Sequence, residues 1–276
     1  MTSVKRPGVG GRSVSGTYIY GDYRRNHAIW PGQEDQLEKF IGQTYKGHHL
    51  KSEAALSSHS EDALTWSCFN CLKQIRAEIR QNALEELWEL AYDGAPIPAG
   101  AKRGSIFIGK QYPDSTHPET EVDASIEGPG VLVFIEAKLY STISQADPPA
   151  RPYNQLGRKL RVGLREALTS QREFFFIVLD LAPPQMLRKL KPGASLDSAR
   201  TAGAHGFTSK WLTAYWFDRY KRARGGSTSP LRELLNGDPA VAHADPAQLA
   251  RNLGWLTWAD LFKIVLRAVI ADRSAR

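Results

Sequence analysis

Glu136 and Lys138 stand two residues apart at the end of the run Val131–Leu132–Val133–Phe134–Ile135–Glu136–Ala137–Lys138–Leu139. In an extended strand, residues i and i+2 leave the same face, so an acid and an amine are presented side by side. The run is apolar up to Glu136, which predicts a buried central strand. A carboxylate in such a place is costly without a partner, and a divalent cation is one such partner. Asp123 lies in the preceding β-prone run, Glu121–Val122–Asp123–Ala124–Ser125–Ile126, and Glu127–Gly128–Pro129–Gly130 between the two marks a hairpin. If the runs pair, Asp123 can lie opposite Glu136. Two carboxylates and the carbonyl of Ala137 then offer hard oxygen ligands suited to Mg²⁺, with Mn²⁺ able to substitute. Such a metal lowers the pKa of its bound water and stabilises charge on a phosphate oxygen. Lys138 would position that water, help to deprotonate it, or contact the phosphate. A lone ExK tripeptide is common and reads as a plain ion pair on a partly exposed strand. The apolar strand, the acid across the hairpin and the segments that follow favour the chemical reading here.

Those segments must position the acids. Tyr153 to Leu168 repeats apolar residues at helical spacing, and Phe174–Asp180 is a second apolar strand. Strand, helix and buried strand form a βαβ unit with parallel pairing. Upstream, Ala63, Leu64, Trp66, Cys68, Phe69, Leu72, Ile75 and Ile79 mark an amphipathic helix, with Ser58 or Ser60 as cap and Glu61 and Asp62 in its first turn. A second helix is expected from Asn82 to Tyr92. Ser105–Ile108 is a short apolar run, and a short strand is expected around Tyr18–Tyr20.

Asp123, thirteen residues before Glu136–Ala137–Lys138, resembles the PD-(D/E)XK nuclease superfamily with its restriction-endonuclease-like fold. The resemblance covers roughly residues 55–182, with a vaguer echo near Trp255–Leu261. It implies an α/β fold, a mixed β-sheet core flanked by helices, here with N- and C-terminal extensions. It implies an Mg²⁺-dependent endonuclease cutting DNA, or RNA, with Asp123 and Glu136 as metal ligands and Lys138 as catalytic lysine. Members often add an acid from a helix before the sheet, which points to Glu61 as a further catalytic acid and metal ligand, and some place a catalytic Gln on the helix after the lysine strand, which Gln155 matches. Val122 stands where the pattern has Pro. Pro113–Asp114 is the literal Pro–Asp, and Glu121 shares a strand face with Asp123, so Asp114 and Glu121 stay open as alternatives. Asp62 likewise stays open beside Glu61. Restriction, antiviral defence or repair would be the role by analogy.

Composition is that of a globular chain: 276 residues, 42% hydrophobic and 24% charged, with a net charge of +7. A polyanion is a reasonable partner for such a surplus. Residues 151–225 hold fifteen Lys and Arg against five acids. Arg158, Lys159 and Arg161 would line a nucleic-acid groove, or form a solvated helix face. Lys210, Arg219, Lys221, Arg222 and Arg224 interleave with Trp211, Tyr215, Trp216, Phe217 and Tyr220, where cations could grip phosphates and rings could stack on bases. The plainer reading is an amphipathic helix with core aromatics.

Cys68 and Cys71 form a CxxC inside a helix, read as small apolar residues rather than a redox or zinc motif. His48, His49 and His59 lack zinc spacing, and no GxSxG elbow supports an acyl hydrolase. No run of 18 apolar residues occurs, so no membrane partner is expected, and the N-terminus does not read as a signal peptide, which makes the cytoplasm the default. Three regions are expected: an N-terminal arm (1–50), the nuclease core (51–182) and a basic, aromatic and helical part packing on it (183–276). Enzymes that cut both strands are often dimers, so a homodimer is compatible with this reading.

Overall fold

The computed structural model describes residues 10, 17–45, 49–114, 119–146, 148, 153–190, 209–222 and 229–274. The helices are α1 (Glu34–Ile41), α2 (Lys51–Ala55), α3 (Glu61–Gln74), α4 (Ala77–Ala91), α5 (Ala99–Lys102), α6 (Gln155–Thr169), α7 (Pro184–Arg188), α8 (Trp211–Lys221), α9 (Pro230–Asn236), α10 (Pro246–Arg251) and α11 (Trp258–Ser274). A small two-stranded sheet pairs β1 (Thr44–Tyr45) with β2 (His49–Leu50). The main sheet holds β3 (Ser105–Pro113), β4 (Glu119–Gly128), β5 (Val131–Ala137), β6 (Glu173–Asp180) and β7 (Leu253–Thr257), in that spatial order.

β3, β4 and β5 are antiparallel neighbours, whereas β5, β6 and β7 run parallel. The hairpin turns through Pro129 and Gly130, and Gly130 takes a φ of +69°, which suits a residue without Cβ. The parallel pair needs a crossover, and α6 supplies it. The protein is therefore α/β, with a five-stranded mixed sheet flanked by helices.

Every residue of β5 is buried, which is what a strand covered on both faces requires. Val131, Val133, Ile135 and Ala137 point into a core shared with α3, α4 and α11. Leu132 and Phe134 point the other way, into a core shared with α6, α8, α9 and α10. By this alternation Glu136 faces the α6 side.

The close fit of α6 on the sheet depends on Gly163. A Cβ there would overlap the Phe174 ring and crowd Phe134 at 2.9 Å. Gly163→Ala is therefore expected to destabilise the fold by about 1–3 kcal/mol through overpacking, read by urea unfolding. A neutral result would show that the helix can retreat freely.

Several boundaries differ from the sequence reading. The first long helix does not run to Ile79; it ends at Gln74, and Ile75 and Arg76 are extended before α4 starts. Arg76 is held by a partner on α11: its backbone N–H and its Nε both donate to Asp272 at 3.0 Å. The apolar run at Ser105–Ile108 is the start of a nine-residue strand. The sheet is not complete at residue 182, because Leu253–Thr257 pairs with β6 and α11 belongs to the first core. The N-terminal segment does carry the weak short helix that the sequence suggests from Gln33 to Ile41: it is α1, whose Leu37, Phe40 and Ile41 pack with Ala55 and Trp66. The strand expected near Tyr18–Tyr20 is a single bridge between Ile19 and Ser57. Among the described residues, no helix is long and apolar enough to cross a membrane.

Candidate active site

The C-terminal end of β5 carries a cluster of charged side chains from β4, β5, α3 and α6. The β4–β5 register pairs Ala124 with Ile135, and one further step sets Asp123 opposite Glu136. Asp123 Oδ2 accepts the Ala137 N–H at 2.7 Å, so the acid is fixed to the strand that bears Glu136 and Lys138. Ala137 thus meets the site through its N–H, whereas the sequence reading has it there as a carbonyl ligand.

Glu136 is fully buried. Lys138 Nζ lies 3.0 Å from its Oε1, and Gln155 Nε2 donates to the same oxygen at 2.7 Å. Gln155 opens α6, where Asn154 caps the helix by accepting from the Gly157 N–H. The side-chain oxygen of Gln155 accepts the Ser144 N–H at 3.1 Å, tying the loop after β5 to the cluster. Lys159, one helical turn on, reaches the same site. Its ammonium contacts Glu136 Oε2 and lies 3.6 Å from Asp123 Oδ1.

Glu61, in the first turn of α3, closes the other side. Its Oε2 is 3.4 Å from Lys138 Nζ. Its Oε1 accepts the N–H of Leu139 at 2.9 Å and of Ser141 at 3.3 Å, and the Ser141 hydroxyl also donates to it. Lys138 is clamped at its backbone as well: its N–H donates to Leu179 at 2.7 Å, and Trp258 Nε1 donates to its carbonyl at 3.1 Å. An ammonium on so short a leash is pre-organised, with little rotamer entropy left to lose.

These contacts set the protonation states. For Lys138, burial works to lower the pKa, but the charges of Glu136, Glu61 and Asp123 outweigh it and hold the amine well above its ordinary range. Burial works to raise Asp123, yet Lys159, Lys138 and the Ala137 N–H keep it below the usual carboxylate range. Glu136 is pushed up, by burial first and then by the charge of Asp123. Glu61 is held down despite burial, by Lys138 and by the donors from Ser141 and Leu139. Two carboxylates that repel each other, each against a lysine, form a site where added positive charge is welcome.

Two neighbouring ion pairs extend the cluster. Glu121 is 2.5 Å from the buried Lys51, so this alternative acid is already engaged on the same strand face as Asp123. Asp62 is raised by burial and by the charges of Asp123 and Glu61, only partly countered by Lys51. Behind Glu61, the fully buried Lys210 lies 2.6 Å from Asp180 and donates to the Ser141 carbonyl at 3.0 Å. Burial lifts the Asp180 carboxyl to about 6 and lowers Lys210. Asp114, the literal Pro–Asp candidate, accepts from the Thr120 hydroxyl at 2.7 Å on the β3–β4 side.

The structure therefore brings together Asp123, Glu136, Lys138, Glu61 and Gln155. It treats the predicted groove residues differently. Lys159, Arg161 and Lys210 are buried in ion pairs, with Arg161 Nη2 3.0 Å from Asp238 Oδ2 and its guanidinium over the Tyr153 ring. A buried, paired cation is not presented to a backbone phosphate, so these three are corrected from groove to interior. Arg158 is half-buried, and Arg219 and Arg222 are exposed. Arg219 donates to the Tyr215 hydroxyl and covers the Tyr215 and Trp216 rings. Lys221 donates to the Leu253 carbonyl at 2.7 Å. Arg224 and His48 lie outside the described residues.

Trp211, Phe217 and Tyr220 are buried, so α8 is chiefly a packing helix. Cys68 is buried and its thiol pushed up to about 12, and Cys71 is raised too, as fits inert thiols. His59 sits against the Tyr140 ring, and its Nδ1 is 2.9 Å from the Thr17 hydroxyl.

Sequence reasoning missed Lys159 as a member of the cluster. A signal for it existed: Lys159 is four residues after Gln155, and positions i and i+4 share a helix face.

Among the described residues, no group of three or more His, Cys, Asp or Glu could hold a metal ion. The Asp123–Glu136 pair still has the chemistry of a hard-cation site. Its donors are all oxygen, and among the described residues the one cation set against both acids is the Lys159 ammonium, which meets Glu136 Oε2 and Asp123 Oδ1. Comparison of the chain with family models, curated proteins and solved structures finds no match in any of the three.

Proposed function

We propose that the protein is a metal-dependent nuclease of the restriction-endonuclease-like kind that hydrolyses phosphodiester bonds, with DNA as the first substrate to test. The observation that carries this reading is the Lys138 ammonium, held charged between Glu136 and Glu61 at the end of a buried strand, with Asp123 anchored opposite. Asp123 and Glu136 would hold Mg²⁺, or Mn²⁺ in its place, and the ion would supply an activated water and charge stabilisation at the phosphate.

The chain's own residues do the rest. Lys138, set between Glu136 and Glu61, would orient the attacking water or meet negative charge on the phosphate. Gln155 holds Glu136 in place. Glu61 fixes the loop from Leu139 to Ser141 through three donors and steadies Lys138 from below. Of the groove cations expected from the sequence, Arg158, Arg219 and Arg222 are those among the described residues that would meet the nucleic-acid backbone. A homodimer would allow both strands to be cut.

A second reading is a nucleic-acid-binding module with an inactive nuclease fold. The Lys159 ammonium favours it, because it already counters both acids. An RNA-cutting enzyme would use the same residues.

Incubation with supercoiled plasmid, single-stranded DNA and RNA in Mg²⁺, with binding followed across a salt series, separates these readings. The expected result is DNA cleavage with affinity that falls steeply as salt rises. Binding without cleavage of any substrate would favour the inactive module. Cleavage of RNA alone would move the substrate. Neither binding nor cleavage would remove nucleic acid from the account.

A further inference from the structure

Lys159 stands where the proposed reading puts a cation. Its ammonium contacts Glu136 Oε2 and is 3.6 Å from Asp123 Oδ1, so one charge bridges the two acids. The side chain is 4% exposed and that of Glu136 is not exposed at all, so water contributes little to separating them. Lys138 already serves the other oxygen of Glu136, and Glu61 serves Lys138. Lys159 is thus not needed to position Lys138; its business is with the two carboxylates themselves.

One ammonium therefore stands between two like charges, the fully buried Glu136 and the partly exposed Asp123. From this geometry we infer that Lys159 is a built-in counter-ion that holds Asp123 and Glu136 together and competes with a divalent cation for the same oxygens. The inference rests on the metal reading of the site and adds its regulation. A divalent ion must displace the ammonium or share the acids with it, so Lys159 sets the concentration at which the metal binds. Lys159 is a positioning residue in this scheme, acting through the acids rather than on a substrate.

The test is calorimetric titration of the full chain with Mn²⁺ alone, then Mg²⁺ alone, for the wild type, Lys159→Met and Lys159→Arg. Methionine keeps the apolar stem and removes the charge. Lys159→Met is expected to bind Mn²⁺ at least tenfold more tightly than the wild type. Lys159→Arg keeps a cation there and should stay within a few-fold of the wild type. A wild-type measurement guards against a misfolded variant: the ¹⁵N resonance of the Lys159 ammonium, identified by its loss in Lys159→Arg, should move as Mg²⁺ is added. Equal affinity in wild type and Lys159→Met, or an ammonium resonance that stays put while metal binds, would overturn the inference and leave the metal site standing. No binding of either ion by wild type or Lys159→Met would remove the metal reading and this inference together.

Discussion

Lys138→Ala is expected to lower the rate of metal-dependent cleavage by about 10²-fold or more while the protein stays folded. The size follows from losing one pre-organised charged donor at the point where negative charge builds. Folding should survive because Glu136 keeps the Lys159 ammonium and the Gln155 amide. Glu61 keeps its donors from Leu139 and Ser141. Lys138→Arg should restore little, since a bulkier planar guanidinium does not place its charge where the compact ammonium sits in this buried site. Circular dichroism and single-turnover cleavage measured on the same preparation check both halves. Full residual activity would take the lysine out of the mechanism.

Glu136→Ala is expected to cost stability more than any other change in the cluster, by about 3–5 kcal/mol. The carboxylate is fully buried and stands between two buried lysines, Lys138 and Lys159. Its removal leaves those two ammoniums with fewer anions and against each other, and unpaired buried charge is the expensive outcome. Asp123, 3.6 Å from Lys159, compensates in part. Glu136→Gln keeps the volume and the acceptor for Gln155 and should cost less. Urea unfolding of the three proteins gives the comparison. A loss below about 1 kcal/mol would show that the lysines find water or other partners when the acid is gone.

The parts of this arrangement that depend on local pattern were legible in the sequence. The Gly128–Pro129–Gly130 break, the apolar β5 and the helix-to-strand run from Gln155 to Asp180 each carry their own periodicity, and they place Asp123, Glu136, Lys138 and Gln155 together. What depends on distant partners was not. The break between α3 and α4 is fixed by Asp272, 196 residues after Arg76. The fifth strand comes from Leu253–Thr257, where a short segment gives a weak alternation and no hairpin to announce it. Lys159, Arg161 and Lys210 looked like surface cations because a one-dimensional pattern does not say which helix face meets the sheet. Each instead found a buried carboxylate: Glu136, Asp238 and Asp180. Burial of charge is decided by tertiary pairing, and composition reports only the number of charges available to pair.

The measurement that bears most directly on the central claim is wild-type cleavage of supercoiled plasmid with Mg²⁺ and with EDTA. The account predicts nicked or linear product that appears with the metal and is absent with the chelator. Cleavage that continues undiminished in EDTA would contradict it, because Asp123 and Glu136 would then be serving something other than a divalent cation.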